Sequence, residues 1–193
     1  MSSWRGALCD VFQPLSMPCG SAWALAGKSL RSMSEGPFWV PTKSTGRLAI
    51  VPRPRGGDWL ARDVRIILDH GFDVVASLLT DSENHELELQ DEAGTCRQFG
   101  LEFISFQVPD REVPDDRQRF REVAAHLATR IENGRSVAVH CRQGIGRSSL
   151  LAAAALATLG IDIPSALSML QKSRGCPVPD TEQQRSWLES LYS

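Results

Sequence analysis

From Pro37 onward, apolar positions fall into two alternating patterns: short runs of adjacent apolar residues, and longer stretches where they recur every three or four positions. The short runs Arg47–Val51, Asp73–Leu79, Leu101–Phe106 and Ser136–His140 predict strands. The stretches between them, roughly Asp58–Asp69, Glu83–Phe99 and Asp115–Asn133, predict helices. The third is the clearest: Phe120, Val123, Ala124, Leu127, Ala128 and Ile131 fall on one face, and Asn133-Gly134 supplies the stop. Strands separated by helices read as crossover units. They predict an α/β fold with a central, mostly parallel sheet of four to five strands and helices on both faces. After His140 the pattern changes to three helices with no further strand, about Arg147–Thr158, Ile163–Arg174 and Thr181–Tyr192. The run from Ser148 to Leu156 is apolar on every side, which predicts a central, buried helix, and Pro164 suits a first helical turn.

Residues 1–36 follow neither period. They mix Ser, Gly, Pro, Cys and Met with isolated Trp4 and Trp23, and predict an irregular extension ahead of a single domain over 37–193. A length of 193 residues suits that one domain. The net charge of −2 and the lack of a basic block leave no electrostatic footprint for nucleic acid or a membrane surface. The longest apolar run, Leu150–Leu159, is too short to span a bilayer. Ala24-Leu25-Ala26 resembles a signal-peptidase site, but Asp10, Pro14 and Pro18 interrupt the segment before it, so no signal peptide is expected. Five cysteines, Cys9, Cys19, Cys96, Cys141 and Cys176, form neither an even framework nor a CxxC pair. No metal site is expected, and a monomer in the reducing cytoplasm is the simplest setting.

The chemistry concentrates in Val137-Ala138-Val139-His140-Cys141-Arg142-Gln143-Gly144-Ile145-Gly146-Arg147-Ser148. A buried strand ends at a cysteine, five residues intervene, and an arginine opens the buried helix. Such a turn points successive backbone N–H groups inward and makes an anion-binding nest over Arg142 to Arg147. Gly144 and Gly146 are expected to supply positive φ. Arg147 can close the ring with a planar fork matched to two phosphate oxygens. The amides and helix dipole that attract a dianion also favour a thiolate at Cys141, set for in-line attack on phosphorus. Ser148 can hydrogen-bond the sulfur and help it leave, while His140 orders the loop. The segment lacks the Gly-Lys-[Ser/Thr] ending of a nucleotide-binding loop, and Ser149 stands where a third dinucleotide-loop glycine belongs.

His140-Cys141-x5-Arg147-Ser148 resembles the signature of the cysteine-dependent protein tyrosine and dual-specificity phosphatases, and the likeness extends over roughly Arg47 to Leu188. That resemblance implies a phosphatase-like α/β fold, a two-step reaction through a thiophosphate on cysteine, no metal or other cofactor, and a phosphorylated protein or peptide as substrate. It also implies an aspartic acid about thirty residues before the nucleophile, on a mobile loop. Asp110, in Val108-Pro109-Asp110, lies 31 residues ahead of Cys141, with Val108 where many tyrosine-specific members have Trp. Glu112, Asp115 and Asp116 compete, the last two as helix caps. Gln184, three residues after Thr181, matches a site-facing glutamine of small dual-specificity members; Thr181 as a helix cap with Gln184 near the third position is the alternative.

Other residues are expected to be structural. His70, His85 and His126 read as solvated or helix-terminal, Cys96 and Cys176 as structural thiols with resolving thiols for an oxidised Cys141 as the alternative, and Arg53 and Arg55 as part of a solvated loop with contacts to substrate phosphate or acidic flanks as the alternative. The acidic cluster from Asp81 to Glu92 reads as an exposed helix face. With Tyr192 the only tyrosine, an aromatic recognition loop is absent. A shallow pocket accepting phosphotyrosine, and also phosphoserine or phosphothreonine, is expected. A phosphoprotein-binding module without turnover, a sulfur-transferase and a phosphoinositide phosphatase are the alternatives.

Overall fold

The four apolar runs pair into one sheet with a fifth strand at its edge, in a computed structural model that describes residues 36–192. Apart from Gly36, the expected N-terminal extension lies outside the described residues. The strands are β1 (Phe38–Val40), β2 (Arg47–Ile50), β3 (Val74–Ser77), β4 (Glu102–Ser105) and β5 (Ser136–His140), in spatial order β1-β2-β5-β3-β4. All pairs are parallel except β1 with β2. This is the expected fold class. The sequence pattern missed β1, a three-residue strand between Pro37 and Pro41 that is too short to show a period. Its Trp39 stacks on Phe72 with ring centroids 4.7 Å apart, and the Arg47 guanidinium lies 4.3 Å above the same indole.

The central strand β5 is buried throughout because it has a parallel neighbour on each side. Side chains alternate between two cores, as the period of two requires. Leu48, Ile50, Val74, Ala76, Val137 and Val139 join one core, and Ala49, Val51, Val75 and Ala138 the other. The first is completed by α4 (Arg117–Glu132), α5 (Arg147–Thr158), α6 (Ile163–Arg174) and α7 (Glu182–Tyr192). The second is completed by α1 (Leu60–Asp69) and α3 (Glu92–Gln98). Every residue of α5 from Arg147 to Leu156 is buried, as its all-round apolar sequence predicts. Asp116 caps α4 by accepting from the amide of Arg119 at 2.8 Å, and Asp162 caps α6 from Ser165 at 2.9 Å.

The helix expected over Glu83–Phe99 is two helices, α2 (Asp81–Glu86) and α3. The break has a tertiary cause. Glu88 adopts φ 56°, and its carbonyl accepts from Gly57 at 3.0 Å. A side chain on Gly56 would lie 2.0 Å from the Leu87 carbonyl oxygen, so the loop after β2 packs into the gap between the helices. That loop and those after β3, β4 and β5 gather at the carboxyl ends of the parallel strands, where open α/β sheets commonly bind ligands.

Phe120 links the helical layer, fully buried and edge-on to Phe106 at 5.6 Å and Trp187 at 5.1 Å. Phe120→Ala is expected to cost about 3–5 kcal/mol in urea unfolding. A loss near that of a surface substitution would contradict this packing.

Candidate active site

The five residues after Cys141 wrap around its sulfur before α5 begins. Cys141 Sγ accepts from the amide of Gly144 at 3.3 Å and lies 3.5 Å from Ser148 Oγ. The two loop glycines serve different ends. Gly144 has φ 70°, as expected. Gly146 has φ −80°, so its glycine is required by space and not by handedness. A Cβ there would sit 2.8 Å from Gln184 Oε1 and 3.0 Å from Asp180 Cβ, inside the pocket.

That pocket has a volume of about 210 Å³ and is predominantly polar in character. It is lined by Cys141, Gln143, Ile145, Gly146 and Arg147 from the loop and the start of α5, and by Asp110, Arg111, Asp180 and Gln184 from other segments. Ser148 and His140, on either side of the loop in sequence, are both fully buried. The Arg142 side chain turns away to Glu86, at 2.9 and 2.5 Å.

Arg147 is the most constrained group, only 1% exposed. Its Nη1 donates to Glu83 Oε2 at 2.7 Å and to the Val108 carbonyl at 2.8 Å. Its Nη2 donates to Glu83 Oε1 at 2.9 Å and to Asp110 Oδ1 at 2.7 Å. Burial opposes the charge, but the Glu83 hydrogen bonds and the negative charges of Cys141, Glu83 and Asp110 outweigh it and raise the Arg147 pKa above its ordinary value. The converse holds at Glu83. Burial pushes its carboxyl up, yet Arg147 and the Thr80 amide hold it below the usual carboxylate range. With the Leu78 carbonyl, 3.4 Å from Nη1, two carbonyls and two carboxylates fix the guanidinium at the pocket floor.

The loop carrying Asp110 is tied at several points. The Val108 amide donates to the Leu78 carbonyl at 3.3 Å, and Gln107 Nε2 to Asp81 Oδ1 at 2.7 Å. Arg111, at φ 64°, lies 3.4 Å from Asp180, and Gln184 Nε2 donates to the Glu112 carbonyl at 3.0 Å. Asp116 is a helix cap, and Asp115 and Glu112 are exposed outside the pocket lining. Gln184 gives its amide to Thr181 Oγ1 at 3.1 Å, as in a helix cap, but its side chain is buried, where a plain helix start would leave it exposed, and it lines the pocket. Its Oε1 is buried without a hydrogen-bond partner among the described residues.

Two site residues escaped sequence reasoning. The acidic cluster was expected to be an exposed face, but Glu83 and Glu92 within it are buried. Glu83 grips Arg147. Glu92 Oε1 lies 2.8 Å from His140 Nε2, out of line for a hydrogen bond. A signal for Glu83 was present, because Thr80-x-x-Glu83 forms a capping box. Its second use as an arginine clamp has no local signature. Of the other histidines, His85 is exposed, His70 ends α1 with Nδ1 2.7 Å from the Ile66 carbonyl, and His126 lies 2.6 Å from Glu102. Cys96 is buried, and burial first, then the charge of Glu92, pushes its thiol up to about 12.

Residues 63–191 match the family described as dual specificity phosphatase, catalytic domain, and this chain belongs to it. Cyclin-dependent kinase inhibitor 3 of Rattus norvegicus is 28% identical over 134 residues, 68% of this chain and 63% of that protein. Its Mus musculus counterpart is 26% identical over 133 residues, with the same coverage. The matched stretch therefore spans less than two thirds of these curated relatives. Among solved structures, kinase associated phosphatase (KAP) with its catalytic-site cysteine changed to serine superposes with a TM-score of 0.72 at 21% identity. The superposition covers 79% of this chain and 91% of that one. Tk-PTP in its active form superposes at 0.63 with 23% identity, covering 81% and 97%. These likenesses show the shared fold.

Because the folded-state pKa of Glu83 lies below its unfolded value, the folded state binds fewer protons there. The stabilisation is present above the ordinary Glu value of about 4.3 and is lost as pH falls through the lower folded value. Glu83→Gln is expected to lower the urea midpoint at pH 7, with the gap to wild type closing at acid pH. A gap independent of pH would refute the ionic role.

Proposed function

We propose that residues 37–193 form the catalytic domain of a cysteine-dependent phosphatase. Its substrates are phosphotyrosine, and also phosphoserine and phosphothreonine, in proteins. It acts as a monomer in the cytoplasm. The observation that carries this reading is the convergence of Cys141, Arg147 and Asp110 on one small polar pocket.

In the first step the Cys141 thiolate attacks phosphorus from the pocket floor. The S–P bond forms as the bond from phosphorus to the leaving oxygen breaks, and Asp110 donates the proton that this oxygen needs. The amides from Arg142 to Arg147 and the Arg147 fork hold the three equatorial oxygens, where charge is spread in the transition state. Arg147 Nη2 now bonds Asp110 Oδ1. A bound dianion competes for that donor and frees Asp110 to face the leaving oxygen.

In the second step water gives a proton to the Asp110 carboxylate and attacks the phosphocysteine. The S–P bond breaks, inorganic phosphate leaves and the thiolate is restored. Ser148 Oγ, 3.5 Å from the sulfur, can donate a hydrogen bond to the departing thiolate. Gln184 Oε1, buried at the pocket wall with no partner among the described residues, is available to accept from the attacking water. His140, fully buried, positions the nucleophile and does not touch the substrate.

Phosphate release from a phosphotyrosine and a phosphothreonine peptide, with chelator present, is the decisive assay. Cys141→Ser is expected to abolish release while keeping phosphate-dependent binding; substantial release from it would refute the nucleophile. Asp110→Ala is expected to lower kcat by about 100-fold or more on substrates with poor leaving groups. Its effect should shrink on an activated aryl phosphate. An equal loss on both would show that Asp110 is not the acid.

A further inference from the structure

Asp110 faces two demands that conflict. In the unliganded site its carboxylate accepts from Arg147 Nη2 at 2.7 Å, and a bound dianion competes for that donor. The carboxylate must then leave the arginine and still stay over the pocket. Its side chain is 57% exposed, so packing does not hold it there. The backbone of its loop has to.

That loop is anchored on both flanks of Asp110. Before it, the Val108 amide donates to the Leu78 carbonyl at 3.3 Å and the Val108 carbonyl accepts from Arg147 Nη1 at 2.8 Å. After it, two anchors come from a single segment, residues 180–184 at the start of α7. Arg111 Nε lies 3.4 Å from Asp180 Oδ2, and Gln184 Nε2 donates to the Glu112 carbonyl at 3.0 Å. The segment is a firm post. Val178 and Leu188, on either side of it in sequence, are fully buried, and so is Gln184 itself. Arg111 adopts φ 64°, a left-handed conformation open to glycine and unfavourable for a long side chain. Its side chain nonetheless meets a carboxylate of that post, and both residues line the catalytic pocket. A strained residue beside a reacting group, tied to a rigid element, points to a positioning role.

Given the phosphatase reading above, on which this inference rests, we propose that Arg111, Asp180 and Gln184 are positioning residues for the acid. They strap the Asp110 loop to the start of α7, so that Asp110 stays over the pocket once a phosphate dianion has displaced it from Arg147. The strap acts through the backbone of residues 110–112. The ion pair is 68% and 40% exposed at its two ends, so solvent weakens it. An exposed pair of this kind changes the population of the strapped loop by about fivefold at most.

Two variants separate the ion pair from the backbone. Arg111→Gly keeps the left-handed conformation open and removes the guanidinium, while Asp180→Asn keeps the shape and removes the charge. The readout is the ratio of kcat/KM on a phosphotyrosine peptide to kcat/KM on an activated aryl phosphate, whose leaving oxygen needs no proton. Losses common to both substrates cancel in that ratio, including any from misfolded protein. Each variant is expected to lower it about threefold to fivefold, and about 0.5 M salt should narrow the gap to wild type. Arg111→Asp combined with Asp180→Arg should restore most of it, since Asp tolerates a positive φ. In an Asp110→Ala background, where no acid remains to be positioned, Arg111→Gly should leave the ratio unchanged. A ratio unchanged in both variants overturns the proposal, as does a fall in Arg111→Gly alone, which would trace to backbone freedom. An equal fall on the two substrates also overturns it and makes Arg111 a substrate-binding group. Hydrogen exchange of the amides over residues 107–113 needs no turnover and is expected to quicken in Asp180→Asn. Unchanged exchange overturns the strap. Quickened exchange, with no phosphate released by the wild type, refutes the phosphatase reading and leaves the strap standing.

Discussion

A buried guanidinium governs the architecture of this site. Arg147 stands at the first turn of a helix whose next nine residues are all buried, so its charge has no route to water except through the pocket. A cation in that position must be matched by charge and hydrogen-bond acceptors from its surroundings. The fold supplies them from three segments: Glu83 from α2, the Leu78 carbonyl after β3, and the Val108 carbonyl with Asp110 from the loop after β4. One side chain therefore knits together α2 and the segments after β3 and β4 at the carboxyl edge of the sheet.

Under the proposed mechanism, that arrangement couples binding to acid catalysis. In the unliganded site the carboxylate of Asp110 occupies a donor that a phosphate dianion also seeks. Glu83, by contrast, is fixed on two sides, through Arg147 and through its own capping box at Thr80. The difference in anchoring separates a carboxylate that stays from one free to exchange partners. Asp110 is also more than half exposed, which suits a group that must reach a leaving oxygen.

The same loop economy extends outward from the pocket. Gly144 gives its amide to the sulfur and its carbonyl to Arg174, so one peptide segment ties Cys141 to the end of α6. Gly146 leaves open the space that Gln184 and Asp180 border. The shape of that loop is imposed by β5 and α5, which fix its two ends.

The sequence by itself determined much of this. Period-two and period-3.6 patterns located four of the five strands and the long helices, because burial of a sheet face or helix stripe leaves a local trace. The spacing from Cys141 to Arg147 predicted a tight turn between strand and helix, and the Gly144 amide does reach the sulfur, whereas the positive φ expected at Gly146 is not found. Other features were decided only when the chain closed on itself. β1 is too short to carry a period and exists because β2 offers an edge and Phe72 a ring to stack on. The break between α2 and α3 exists because Gly56 and Gly57 press against Leu87 and Glu88. Glu83 and Glu92 looked like solvated charges, since a carboxylate and the cation it meets across sixty-four residues leave no shared local pattern. Periodicity records what a residue does within its own element; pairing between distant charges belongs to the tertiary structure, and here that pairing built the site.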